Sequence, residues 1–419
     1  TDAIAYGATN GYADIVDLFV ERIDPSDDSR YLEGEQSLPF KQREEILLIK
    51  DSEAEGGYRS EMLVVRETKR GPVISDHGMS MVPDKLLTLR WSVTAFVLPD
   101  SGVPELLEAR SVEEAVAAVR KMTTPLNYVI VDVEGNIARA ASGLVPDRVH
   151  GTGLVPITVA PEDNWAGRLP GSDMPLELNP SKGWTGTSNH RITPLDYPYA
   201  YSTYFAAADR YRRLMELMAE PLWDARRHWN ANVDIFNTLA ARLAPVMAVE
   251  LAEDDSLKQL ADTLSGWDHR DAPDEAAPLV FQAVWRQFAL ETLRDDIEEP
   301  LLTDFLKQRY YWQERLVHWF ERGDSEWFDD TRTPELEGRD DLIRRAGRQA
   351  MAELSDAYGD DPSTWRWGDA HTITFKHPFI PGERAANLIG GGTHPYPGSG
   401  ETLLRAVYAF DEPYTARIN

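Results

Sequence analysis

Hydrophobic positions along the chain come first in short runs broken by polar turns, and later in stripes at helical spacing. In the first 75 residues, LFVERID (18–24), EEILLIK (44–50) and EMLVVRET (61–68) are rich in branched residues. They are separated by DPSDDS and DSEAEGG, so they predict strands joined by turns. TLRWSVTAF (88–96) leads into a helical stretch, SVEEAVAAVRKM (111–122), with Ser111 as a cap and Glu114 three residues on. NYVIVDVEGNIARAASG (127–143) reads as two strands joined at Glu134-Gly135-Asn136, a hairpin signal. Residues 149–200 are rich in Pro, Gly and Asn and read as ordered loop. From about 200 to 358, DRYRRLMELM, DIFNTLAARLAPVMAVEL, LVFQAVWRQFALETL and DLIRRAGRQAMAEL carry apolar stripes at i, i+3, i+4. Their Met and aromatic positions read as core. After 359 the pattern returns to loops and strands, HTITFKHPF (371–379) and LLRAVYAF (403–410).

The order strands, helices, strands, without βαβ alternation or internal repeats, predicts an α+β layered fold with a helical insertion rather than a doubly wound sheet. The expected divisions are 1–200, 201–358 and 359–419. A length of 419 residues suits two or three domains, or one large layered one. No run approaches the ~18 continuous apolar residues of a membrane span.

Charge narrows the partners. With 70 acidic against 43 basic residues, net −27, the chain lacks the basic face that a nucleic-acid backbone requires. The basic residues are 34 Arg and only 9 Lys. Such a balance suits a surface that stays hydrated at high salt, or equally an ordinary acidic secreted enzyme. The absence of cysteine excludes disulfides, thiolate metal sites and a Cys nucleophile.

GxSxG, GxxxxGK[ST] and HExxH are all missing, which removes the main sequence support for three common enzyme classes. Scattered histidines, His77, His190, His371, His377 and His394 among them, gain no catalytic role from spacing. IAYGATNGYADIVDLF (4–19) is more informative, because an apolar run breaks at Ala8-Thr9-Asn10-Gly11 and resumes with Asp14 and Asp17 among apolar residues. Two carboxylates and the intervening Val16 carbonyl suit a hard cation such as calcium; spacing alone favours the plainer reading, two acids facing solvent at a strand end. Asn127, at the start of an apolar strand, can donate its amide to an oxyanion or tie down a neighbouring loop.

In order, these pieces resemble the β-chain of the penicillin acylase family of N-terminal nucleophile hydrolases. IAYGATNGYADIVDLF is joined by TKRGPVIS, NYVIVDVEGNIARAASGLVPDR, LNPSKGWTGTSN, the YRRL helix, LSGWD, WRWGDAHTITFKHPF and PYTAR, spread over nearly the whole chain. The resemblance implies a four-layer αββα sandwich, an autoproteolysed precursor and a serine at the freed β-chain N-terminus whose own α-amino group is the general base. It also implies secretion or periplasmic export, an α-chain partner from the same precursor, a small N-acyl amide substrate, a structural Ca2+ and no organic cofactor. Residue by residue, it gives the Asn10 backbone N–H and the Asn127 side chain the two halves of an oxyanion hole. Arg148 would orient the amino group; Ala8 and Tyr12 would line the acyl pocket; Asp14, Val16, Asp17 and, less directly, Asp132 would ligate calcium. Tyr12 beside Ala8 leans towards an aromatic acyl group.

The chain departs from the pattern in three places. Thr1 falls in a family loop and is rejected as nucleophile, so the serine is expected upstream; the chain also ends just past PYTAR. A β-chain fragment, inactive alone, is the expectation that follows. Arg70 stands where the family usually has His. Two rival readings remain: an acyl-homoserine-lactone acylase on the same scaffold, and a calcium-stabilised binding protein that has lost its nucleophile.

Overall fold

The computed structural model describes residues 2–78, 85–96, 98, 100–160, 164–220, 223–375, 391–405, 407–408 and 416–417. Thr1, His377, the 376–379 end of HTITFKHPF, residues 406, 409 and 410 of LLRAVYAF and 413–415 of PYTAR lie outside the described residues. The chain divides into two compact units, Thr1–Phe205 and Ala206–Asn419.

The first unit is mainly β. Its strands are β1 (Ile4–Asn10), β2 (Val16–Glu21), β3 (Ile23–Asp24), β4 (Asp27–Glu33), β5 (Gln36–Pro39), β6 (Lys41–Lys50), β7 (Tyr58–Thr68), β8 (Gly71–Pro72) and β9 (Leu86–Trp91). After helices α1 (Ser92–Ala95), α2 (Val103–Glu108) and α3 (Val112–Val119) come β10 (Leu126–Asp132) and β11 (Ile137–Ala141). β12 (Pro146–Arg148) follows, and the stretch read as loop carries three short strands, β13 (Ile157–Thr158), β14 (Trp165–Arg168) and β15 (Leu176–Leu178). An antiparallel sheet runs in the order β1-β10-β11-β15, and a mixed one in the order β13-β2-β9, with β13 parallel to β2.

The hairpin between β10 and β11 forms where Glu134-Gly135-Asn136 predicts it, with Gly135 at φ +89°, in the left-handed half of the map. α3 begins at its expected cap: Ser111 Oγ accepts from Glu114 N–H at 3.2 Å, and Arg110 N–H donates to the Glu114 carboxylate at 2.8 Å. Its apolar stripe, Val112, Ala115, Val116 and Val119, is buried against Ile4, Ile130, Ala138 and Ala140 of the sheet. TLRWSVTAF ends its strand at Trp91, because Ser92 N–H turns to the Ile15 carbonyl at 3.0 Å and starts one helical turn.

Arg70 has a structural place here. Its side chain is 4% exposed and forks onto Glu21, which is fully buried, with Nε–Oε1 at 2.8 Å and Nη2–Oε2 at 2.7 Å. Nη2 also donates to Glu33 Oε2 at 2.7 Å, and the Thr68 and Thr88 hydroxyls donate to Glu21 at 2.8 and 2.9 Å. One guanidinium thus ties together β2, β4 and the end of β7. The β6–β7 ribbon presents an apolar ladder to solvent, with Ile46 (73% exposed) directly across from Met62 and with Leu48 and Val64 on the same face.

The second unit is mainly helical: α4 (Asp209–Met218), α5 (Ala225–Asn232), α6 (Thr238–Ala252), α7 (Lys258–Ser265), α8 (Ala277–Leu293), α9 (Leu301–Lys307), α10 (Arg309–Arg322), α11 (Arg339–Tyr358) and α12 (Trp367–Ala370). The hairpin of β16 (Thr372–Phe375) and β17 (Gly392–Pro395) follows, then the pair β18 (Val407–Tyr408) and β19 (Ala416–Arg417). α8 is buried along most of its length, as its continuous apolar sequence requires. α11 meets α6 at Gly347, where a Cβ would stand 2.3 Å from the Leu251 side chain.

Asn237 caps α6 by accepting from Ala240 N–H at 2.9 Å, and its Nδ2 donates to Asp271 at 3.1 Å. Asp271 is completely buried, and burial pushes its carboxyl up to about 8. The folded state therefore keeps this proton where the unfolded chain has released it, so stability falls as pH rises from about 4 through 8. Asp271→Asn is expected to flatten that slope and to unfold at a higher temperature than the parent at pH 9; unfolding midpoints across pH check it.

Candidate active site

Among the described residues β1 is an edge strand of its sheet and stays in register with β10 to its last residue, Asn10 opposite Leu126. Gly11 N–H donates to the Pro125 carbonyl at 2.9 Å. That approach requires glycine, since a Cβ at Gly11 would lie 3.0 Å from the same oxygen. Pairs in an antiparallel ladder alternate between bonded and non-bonded. With Gly11 bonded to Pro125 and Asn10 opposite Leu126, the Asn10 peptide groups face away from β10, on the open edge. Asn127 Nδ2 lies 3.4 Å from the Asn10 carbonyl, and Asn189 Nδ2 donates to the same oxygen at 3.0 Å. Residues 10 and 127, far apart in sequence, are therefore brought together.

Asn127 is 1% exposed, and its Oδ1 has no hydrogen-bond partner among the described residues. Among the described residues Thr9, directly across from Asn127, has an orphaned Oγ1, and Arg139, two residues from Asn127's other neighbour Ala141, an orphaned Nη1. Tyr201 packs against Ala141, and its buried hydroxyl is also unpartnered; burial pushes this phenol well above its ordinary value. Unpaired buried polar atoms are uncommon. Gathered on one face, these favour a polar group docking against it.

Arg148, at the end of β12, reaches the two acids of the opening motif. Nε donates to Asp17 at 3.0 and 3.2 Å, Nη2 lies 3.4 Å from Asp14 Oδ2, and Nη1 donates to the Ala200 carbonyl at 3.1 Å. Trp165 Nε1 adds a 2.6 Å bond to Asp17. Burial raises Asp14 to about 6, with Arg148 pulling the other way. Gly153, at φ +83°, sits hard against them: a Cβ there would stand 2.5 Å from Asp14 Oδ2 and 2.7 Å from Asp17 Oδ1, so only glycine fits. Calcium takes six to eight oxygens; here the two carboxylates already share the Arg148 guanidinium.

Asp132 is not part of that cluster. It lies five residues along β10 from Asn127, about 17 Å at strand rise. Its carboxylate accepts from Val112 N–H at 3.1 Å and Asn136 N–H at 2.8 Å, fastening α3 and the hairpin turn. Among the described residues no group of three or more His, Cys, Asp or Glu could hold a metal. Ala8 sits opposite Tyr128, so its methyl shares that residue's face and not the face of Asn127. Tyr12, at φ +54°, packs its ring 5.2 Å from Tyr204. Val16 donates its N–H to Asp14 Oδ1 at 3.3 Å. Sequence reasoning passed over Asn189, Gly153 and Trp165; Asn189 lies within LNPSKGWTGTSN, while the other two carry no local signal.

This chain belongs to the penicillin amidase family, which it matches over residues 1–418. It is 25% identical to acyl-homoserine lactone acylase QuiP of Pseudomonas fluorescens over 446 residues, covering 98% of this chain and 51% of that protein. It is 26% identical to penicillin G acylase of Escherichia coli over 276 residues, 63% of this chain and 31% of that protein. The chain thus spans about half the length of the first of these relatives. The fold is similar to thermostable penicillin G acylase from Alcaligenes faecalis, with TM-score 0.66 and 19% identity over 86% of this chain and 69% of that one. Among the described residues no helix is long and apolar enough to cross a membrane.

Proposed function

We propose that this chain supplies the oxyanion-binding part of an N-acyl amide hydrolase. What carries the reading is the meeting of Asn127 Nδ2 with the Asn10 peptide on the open edge of β1. In the proposed reaction the hydroxyl of a serine at the freed N-terminus of the β-chain adds to the amide carbonyl, and its proton passes to that serine's α-amino group. The carbonyl electron pair collects on oxygen, where Asn10 N–H and Asn127 Nδ2 receive it. Collapse expels the amine with a proton, and water then releases the acid from the acyl-enzyme. The frame is an αββα sandwich, completed by an α-chain from the same precursor and exported from the cytoplasm.

The acyl-homoserine-lactone reading is favoured by a relative of that name that matches 98% of this chain. The aromatic-acyl reading rests on the Tyr12–Tyr204 pair. Turnover by the full-length protein of a phenylacetyl amide against a long-chain acyl-homoserine lactone separates them. Mass spectrometry of its processed chains identifies the N-terminal residue. Hydrolysis of neither substrate, with no N-terminal serine, supports the binding-protein reading instead.

Asp14, Asp17 and the Val16 carbonyl would hold calcium, which supplies fixed positive charge to this corner. Chelator is expected to lower the unfolding midpoint of the full-length protein; an unchanged midpoint leaves Arg148 as the sole counter-charge.

A further inference from the structure

In a chain of net charge −27, one cleft of the helical unit gathers four cations. It has a volume of about 200 Å³, and Arg210, Lys307, Arg309 and Arg405 line it together with Asp209 and Glu401. All its lining residues belong to the second unit, and none has a part in the proposed amide chemistry.

The two carboxylates are already committed. Asp209 lies 3.1 Å from Arg212 and 3.3 Å from Arg242, both outside the lining. Glu401 is paired with Arg309, and accepts from Gln313 Nε2 at 3.2 Å and Ser399 Oγ at 3.3 Å. Arg405 has no carboxylate partner among the described residues: its Nη2 donates to the Tyr310 hydroxyl, while its Nε is buried and unbonded. A buried guanidinium N–H without an acceptor is costly, and Arg405 belongs to the lining of this cleft rather than to packed core.

Backbone adds to the same field. α4, 10 residues long, and α10, 14 residues long, both begin at the cleft, and neither has a side-chain cap on its first turn. Helix N-termini present N–H groups and partial positive charge to anions.

We propose that this cleft binds a small oxyanion, a carboxylate or a phosphate, with Arg405 as its principal donor and Arg210 and Lys307 adding positive charge; Lys307 lies 3.4 Å from Asp304, and Arg309 is balanced by Glu401. At about 30 Å³ per water the space holds roughly seven waters, enough for phosphate or a short carboxylic acid. A fork of guanidinium N–H groups suits either geometry.

The test uses the full-length protein at constant ionic strength, with inorganic phosphate and acetate as separate probes and chloride as the control. Phosphate, acetate or both are expected to raise the unfolding midpoint by about 2–4 °C at tens of millimolar. Which anion acts identifies the source. Arg405→Gln is expected to abolish the shift while amide turnover stays at the parent value. Should that variant fold poorly, exposed Lys307→Gln serves, with a shift at least halved. No shift with either anion in the parent protein, or an undiminished shift in the substituted ones, overturns the proposal. Either result leaves the hydrolase reading untouched, since that stands or falls on Asn127.

Discussion

Asn127→Ala in the full-length protein is expected to lower kcat by about 10²–10³, with KM nearly unchanged. The amide is placed to stabilise charge that exists only once the carbonyl has been attacked, so its loss is felt in the transition state and little in the ground state. The fold should survive. Asn127 Nδ2 makes only a long contact of 3.4 Å to Asn10, and its Oδ1 has no partner to lose. Turnover assays beside an unfolding curve settle both halves. Parent-like kcat with a normal midpoint would remove Asn127 from the reaction and leave its contact with Asn10 as architecture.

The second large effect concerns stability. Arg70→Ala is expected to cost about 3–5 kcal/mol, because Glu21 would remain fully buried with its charge uncompensated. The two threonine hydroxyls on Glu21 cannot replace a guanidinium fork. In thermal unfolding this corresponds to a fall of roughly 10 °C for a unit of about 200 residues. Combining Arg70→Met with Glu21→Leu should recover much of the loss, since an apolar pair carries no desolvation cost. A single Arg70→Ala protein with an unshifted midpoint would mean that Glu21 takes up a proton, or that water enters, at little expense.

The elements read most directly from sequence are those whose cause is local. Gly135 permits the left-handed turn of the β10–β11 hairpin, and at the start of α3 Ser111 Oγ accepts from Glu114 N–H while the Glu114 carboxylate accepts from Arg110 N–H. The pairing of Asn10 with Asn127 is not local and was reached through resemblance; β1 meets β10 across 117 residues. Asp132 shows the opposite failure. An acid beside an apolar strand looks available to a metal, yet both its oxygens are engaged by a turn and a helix start. Asp14 and Asp17, three apart, both meet Arg148. That an arginine 131 residues further along lies against Asp17 has no periodic signature. The orphaned Thr9 and Arg139 atoms are legible only once strand register sets them on one face.

The bare ladder on the β6–β7 ribbon bears on how this chain behaves in solution. A large negative charge keeps molecules apart at low salt, but that repulsion has a range of only about 10 Å at 0.1 M ionic strength. Once salt shortens it further, greasy side chains such as Ile46 and Leu48 decide what sticks to what. Added salt should therefore promote clustering of this polypeptide, and a single lysine at position 46 or 48 should do more to keep it dispersed than several extra acids elsewhere.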